Sequence, residues 1–94
     1  MKLKDLLANI CVLDSTADME LDIENVVYDS RKATAGCLFV AISGFATDGN
    51  RFIPMAMEKG AAAVLCSRPC GDVPAIIVED PRIALGEIAR GECS

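Results

Sequence analysis

The stretch Val26–Asn50, VVYDSRKATAGCLFVAISGFATDGN, decides how this chain is read. Val26-Val27-Tyr28 is β-branched and aromatic, which predicts a strand running straight into the polar triplet Asp29-Ser30-Arg31. Ala35-Gly36 reads as a turn. Cys37–Ile42 is an unbroken apolar run, the pattern of a strand covered on both faces. Gly44 and the loop Thr47-Asp48-Gly49-Asn50 follow and open onto a helix. Two strands thus deliver two polar loops, and loops carried by a rigid scaffold are where binding groups commonly sit. The expectation is that the two loops form one ligand site.

Working outward toward the C-terminus, Asn50 can cap the next helix, and Pro54 is tolerated in its first turn. Phe52, Ile53, Ala56 and Met57 share a face, and Gly60 is a natural stop. Ala62–Cys66 and Ala75–Val78 read as two more buried strands, separated by a loop with Pro69 and Gly71. Asp80-Pro81 is a strong helix start, a cap carboxylate followed by proline at the first helical position. Leu85, Ile88 and Ala89 would form that helix's buried stripe, and Gly91 its end. Toward the N-terminus, Leu3, Leu6 and Leu7 predict a short amphipathic helix ending near Asn9. Ile10–Leu13 reads as a brief strand and residues 14–18 as a loop. Leu21 and Ile23, alternating with acids, suggest an edge strand or the entry to the strand at Val26. The alternation predicts an α/β fold, a small layered domain with helices packed on a short mixed β-sheet. Residues 1–94 are read as a single domain.

Composition removes several function classes. A chain of 94 residues buries roughly 60–65% of its unfolded surface, enough for one modest core. The net charge of −5 argues against a nucleic-acid partner held by phosphate attraction. No apolar run approaches the ~20 residues needed to span a membrane, and the N-terminus lacks the pattern of a secretory signal. A cytoplasmic location is the expectation. The five cysteines are scattered and there is no histidine. Cys66 and Cys70 have no second pair at ligand spacing, so no metal site is expected, and Ser-His and Cys-His nucleophilic catalysis are removed. Cys37 and Cys66 read as small core hydrophobes. There is no phosphate-cradling Gly-x-x-x-x-Gly-Lys-Ser/Thr loop, no Gly-x-Gly-x-x-Gly and no Gly-x-Ser-x-Gly elbow. No catalytic residue is assigned. From the residues alone the chain is an α/β binding module without a named ligand.

Several segments in the right order nevertheless resemble a known family. Tyr28-Asp29-Ser30-Arg31, Gly36–Ala41, Gly44, Asp48–Ile53, Lys59–Val64 and Val78–Leu85 are together similar to the N-terminal domain of Mur ligases. The spacing and the Gly44-Phe45 start of the second loop are most similar to the MurE type, the UDP-N-acetylmuramoyl-tripeptide synthetases. The resemblance implies the UDP-binding domain of an ATP- and Mg²⁺-dependent enzyme of peptidoglycan synthesis. That enzyme joins a third amino acid, diaminopimelate or lysine, to UDP-MurNAc-L-Ala-D-Glu through an acyl-phosphate. It also implies central ATP-binding and C-terminal domains that this chain does not contain, so the chain alone is expected to be inactive.

On the same resemblance, Ser30 contacts the nucleotide, with Tyr28 and Asp29 presenting backbone groups beside it. Phe45, Ala46 and Thr47 would lie along uracil and ribose, Phe45 and Ala46 replacing a polar pair found in some members. Asp48, Gly49 and Asn50 would meet the diphosphate at a helix start. Arg31 would add a charge-assisted bond to phosphate, worth roughly 1.5–3 kcal/mol if desolvated. Plainer roles stand beside each. Asp29-Ser30 is also ordinary turn chemistry, Arg31 could pair with a surface acid, Asp48-Gly49 could be only a turn and Asn50 only a cap, and Phe45 could fold back on the core. Two other readings of the whole chain remain open. One is the N-terminal domain of a MurF-type ligase, which adds D-Ala-D-Ala. The other is a stand-alone adaptor that has kept the fold without the ligand.

Overall fold

The computed structural model describes residues 2–8, 10–42, 49–67 and 73–92. Its centre is a five-stranded sheet in the order β1-β5-β4-β3-β2, built from β1 (Val12–Ser15), β2 (Asn25–Val27), β3 (Cys37–Val40), β4 (Ala63–Cys66) and β5 (Ala75–Val78). β2 through β5 run parallel, and β1 closes one edge antiparallel to β5. The sheet is mixed, as expected. Three α-helices are present among the described residues: α1 (Leu3–Leu6), α2 (Ile53–Glu58) and α3 (Pro81–Glu92).

Every residue of β3, β4 and β5 is buried, because helices lie on both faces of these strands and water reaches neither. The two-residue period of a strand sorts their side chains into two cores. Leu38, Val40, Leu65, Ile76 and Val78 point to one face and meet Leu3 and Leu6 of α1 and Ala84 and Ile88 of α3. Cys37, Phe39, Val64, Cys66 and Ile77 point to the other and meet Ile53 and Ala56 of α2 together with Ala33. Cys37 and Cys66 are therefore small core residues, as read from sequence. Among the described residues no helix is long and apolar enough to cross a membrane.

Local departures from the sequence reading have physical causes. The N-terminal helix is a single turn, and its first two N–H groups, which have no partner within a helix, are satisfied at long range: Leu3 N donates to Leu21 O at 2.8 Å and Lys4 N to Met19 O at 3.0 Å. Lys2 and Asp22 form a lone antiparallel bridge, so Leu21 and Ile23 lead into β2 without forming an edge strand. Glu20 holds this corner, accepting from Lys4 Nζ at 2.8 Å and Lys2 Nζ at 3.0 Å; those two bonds lower its pKa. The first strand is shifted to Val12–Ser15, so Asp14 and Ser15, expected in a loop, pair with Ile77 and Ile76 across an irregularity after Val12. An edge strand with one open side accommodates polar residues that the centre of the sheet would not.

α2 begins at Ile53, after a 3₁₀ turn over Gly49–Phe52, and no side chain caps it. Asn50 is therefore not its N-cap. Pro54 lies in the first turn and has no N–H, which removes one of the donors a cap would satisfy. The other end matches expectation. Gly60, with φ of 102°, makes a Schellman ending in which Gly60 N donates to Met57 O at 3.1 Å and Ala61 N to Ala56 O at 3.2 Å. Asp80 starts α3, its Oδ1 accepting from Arg82 N at 2.9 Å. α3 buries Pro81, Ala84 and Ile88, with Leu85 half-buried, and runs one residue past the expected stop at Gly91.

Candidate functional site

Parallel strands direct all their carboxyl ends to one edge of the sheet, and in open α/β sheets ligands bind in crevices outside that edge. β2 ends at Val27, paired with Phe39 of β3. Tyr28 has already left the strand, one residue earlier than the sequence suggested. It is 66% exposed, which places an aromatic ring at the edge with no core to fill.

Asp29 then organises the turn that follows. Its Oδ1 accepts from Arg31 N at 2.9 Å, and its backbone oxygen accepts from Lys32 N at 2.9 Å. Together these close the short 3₁₀ turn Ser30–Lys32. The Arg31 guanidinium returns to the same carboxylate, Nη2 to Oδ2 at 3.0 Å and Nε to Oδ1 at 3.2 Å. The side-chain bond from Arg31, followed by its backbone N–H, pulls the Asp29 pKa below the ordinary carboxylate range. The same carboxylate raises that of Arg31. Both plainer roles read from sequence are thus real, since Asp29 does serve the turn and Arg31 does pair with a nearby acid. Yet the Arg31 side chain is 84% exposed, and a two-pronged grip on one edge of a guanidinium leaves further N–H donors directed elsewhere.

Tyr28, Asp29 and Arg31 border a hollow of about 490 Å³. Its remaining lining among the described residues is apolar: Phe39 from β3, Ile42 just beyond it, Phe52 just before α2 and Met55 in its first turn. An apolar concavity with a few polar groups at one side is the usual form of a small-molecule site. The sequence reading did not assign these four residues to the site. Phe39 was part of a buried strand, and nothing in a continuous apolar run distinguishes a residue that also floors a pocket. Phe52 and Met55 carried a weak signal, because a spacing of three places two residues on neighbouring positions of a helical surface.

The structure therefore brings the first loop together with the approach to α2. Of the other expected site residues, Ser30 opens the 3₁₀ turn, and its side chain lies outside what is described. Phe45, Ala46, Thr47 and Asp48 also lie outside the described residues. Gly49 and Asn50 belong to the turn before α2, so they stand three or more residues short of the α-helix and not at its N-terminus.

A second hollow of about 650 Å³ opens on the opposite face of the sheet, between α3 and the start of β1. Among the described residues its polar lining is Glu79, Asp80 and Glu87, with Cys11, Ile83 and Ala84 beside them. Three carboxylates suit an anionic ligand poorly, whereas the first hollow has a guanidinium at its rim. Among the described residues no group of three or more Cys, Asp or Glu side chains is placed to hold a metal ion.

Comparison with known proteins bears on this geometry. Residues 22–92 match the family model described as "Mur ligase family, catalytic domain". A UDP-N-acetylmuramyl-tripeptide synthetase of Roseiflexus sp. (strain RS-1) is 44% identical over 93 residues, covering 95% of this chain and 18% of that protein. The UDP-N-acetylmuramoyl-tripeptide–D-alanyl-D-alanine ligase of Escherichia coli (strain K12) is 49% identical over 74 residues, covering 78% of this chain and 16% of that protein. Among solved structures, MurF from Acinetobacter baumannii superposes with a TM-score of 0.68 at 28% identity, over 73% of this chain and 15% of that one. The chain spans less than a fifth of the length of these relatives.

Proposed function

This chain belongs to the Mur ligase family, and we propose that it binds the uridine diphosphate end of a UDP-N-acetylmuramoyl-peptide. The observation that carries this reading is the hollow at the carboxyl ends of β2 and β3, apolar and aromatic within and edged by the Asp29–Arg31 pair. A flat pyrimidine suits the apolar part, and a diphosphate suits the exposed guanidinium, which offers planar, directional donors to phosphate oxygens. In this reading Tyr28, Asp29, Ser30 and Arg31 would contact the nucleotide from the first loop, and Phe45, Ala46, Thr47, Asp48, Gly49 and Asn50 from the second.

The parent enzyme we infer is an N-terminal-domain-bearing ligase of the MurE type. It joins a third amino acid to UDP-MurNAc-L-Ala-D-Glu in peptidoglycan synthesis. The name and 95% coverage of the Roseiflexus relative support that choice. ATP and Mg²⁺ would act in parts of the enzyme outside this chain, whose own task is to hold the nucleotide. A MurF-type parent is the second reading, supported by the D-alanyl-D-alanine ligase of Escherichia coli and by the Acinetobacter structure.

Titrating the isotopically labelled chain with UDP, and separately with UDP-MurNAc-dipeptide, tests the binding claim. Amide shifts are expected at Tyr28–Arg31 and across residues 42–50. A folded chain whose amides in both segments ignore millimolar UDP would overturn it.

A further inference from the structure

The turn bearing Asp29 and Arg31 is short and solvent-facing, so something beyond its own bonds must set its position. Three contacts from the end of α2 converge on the segment that follows β2. Lys59 Nζ donates to Arg31 O at 3.1 Å. Gly36 N donates to Gly60 O at 2.9 Å. The α-carbon of Gly60 lies so close to Ala35 that an added Cβ would stand 2.9 Å from Ala35 Cα. The two glycine contacts fix the far end of the segment, next to β3. Among the described hydrogen bonds from this end of α2, the one from Lys59 reaches the turn itself.

We propose that Lys59 is a positioning residue for the pocket, its ammonium tying the Arg31 carbonyl to the C-terminal end of α2. This rests on the nucleotide reading given above and adds to it. Phe52, just before α2, and Met55 within it both line the hollow, so a strap from Lys59, which follows the last residue of the helix, to Arg31 couples the apolar wall to the polar one. Without it, the Asp29–Arg31 pair would keep its internal geometry, because Asp29 holds Arg31 locally. What would be lost is the distance between that pair and the aromatic wall.

Lys59 is exposed, so Lys59→Met removes the donor and leaves both cores intact, while Lys59→Arg restores a cationic donor. The affinity of the 94-residue chain for UDP is measured by NMR titration, together with hydrogen exchange of the Lys32 amide, whose bond to Asp29 O closes the turn. Lys59→Met is expected to weaken UDP binding about three- to tenfold and to speed Lys32 exchange, with Lys59→Arg within about twofold of the parent. Equal affinity of the parent and Lys59→Met, or unchanged Lys32 exchange, would overturn the inference. A parent chain that binds no UDP would instead remove the nucleotide reading, and the exchange measurement alone would then decide whether Lys59 holds the turn.

Discussion

Asp29 holds Arg31 by both its backbone and its side chain: Oδ1 accepts from Arg31 N at 2.9 Å, and Oδ2 stands 3.0 Å from Nη2. One carboxylate thus shapes the turn and aims the cation. Asp29→Ala removes both effects. It is expected to weaken UDP binding by about tenfold or more, whereas Asp29→Asn, which keeps an acceptor for Arg31 N, should fall between it and the parent. Calorimetric titration of the three chains checks the order.

The pH dependence of that turn follows from the same contact. The native pKa of Asp29 is lowered, so its contribution is fully present above the ordinary aspartate value of about 3.9. It is lost as pH falls through the lowered native value. The Arg31 amide should titrate with a midpoint below that of a free aspartate. An NMR pH series that places the midpoint at or above the ordinary value would contradict the bidentate pair.

Two glycines predict opposite responses to the same substitution. Gly60 sits at φ of 102° against Ala35, so Gly60→Ala is both strained and crowded and should destabilise by more than about 1 kcal/mol. Gly86 lies inside α3 with open space around it, and there Gly86→Ala should stabilise by about 0.4–1 kcal/mol. Urea unfolding of the two variants tests the sign of each.

Ile76 is fully buried in β5, at the centre of the core shared with α1 and α3. Ile76→Ala should cost about 2–5 kcal/mol, a large part of the stability of a domain this size. Chemical denaturation should show a much lower midpoint at a similar slope.

Tyr28 makes the complementary case. Its ring is mostly exposed and lines the hollow, so Tyr28→Ala should leave the unfolding midpoint nearly unchanged and weaken UDP binding about three- to tenfold. An unaltered affinity would remove the ring from the site.

The period and length of the apolar runs carried most of the fold. Cys37–Val40, Ala63–Cys66 and Ala75–Val78 are buried on both sides, and a continuous apolar run has few other uses in a chain of this length. Asp80-Pro81 and Gly60 marked helix ends through local backbone chemistry alone. The errors fell where long-range pairing overrode local preference. Asp14 and Ser15 became strand because β5 was there to pair with them.

The site divides along the same line. The polar triplet Asp29-Ser30-Arg31, placed directly after a strand, was legible from the sequence, as was its resemblance to the Mur ligases. Neither its position against Phe39, Phe52 and Met55 nor the reach of Lys59 to Arg31 could be read there. The lysine acts across 28 positions, and its partner is a backbone carbonyl, which every residue possesses and no sequence marks. The sequence determines this protein's local geometry and the sorting of its two cores, because those follow from neighbours along the chain. Which groups face one hollow was decided only when parallel pairing brought the ends of β2 and β3 to the same edge as the start of α2.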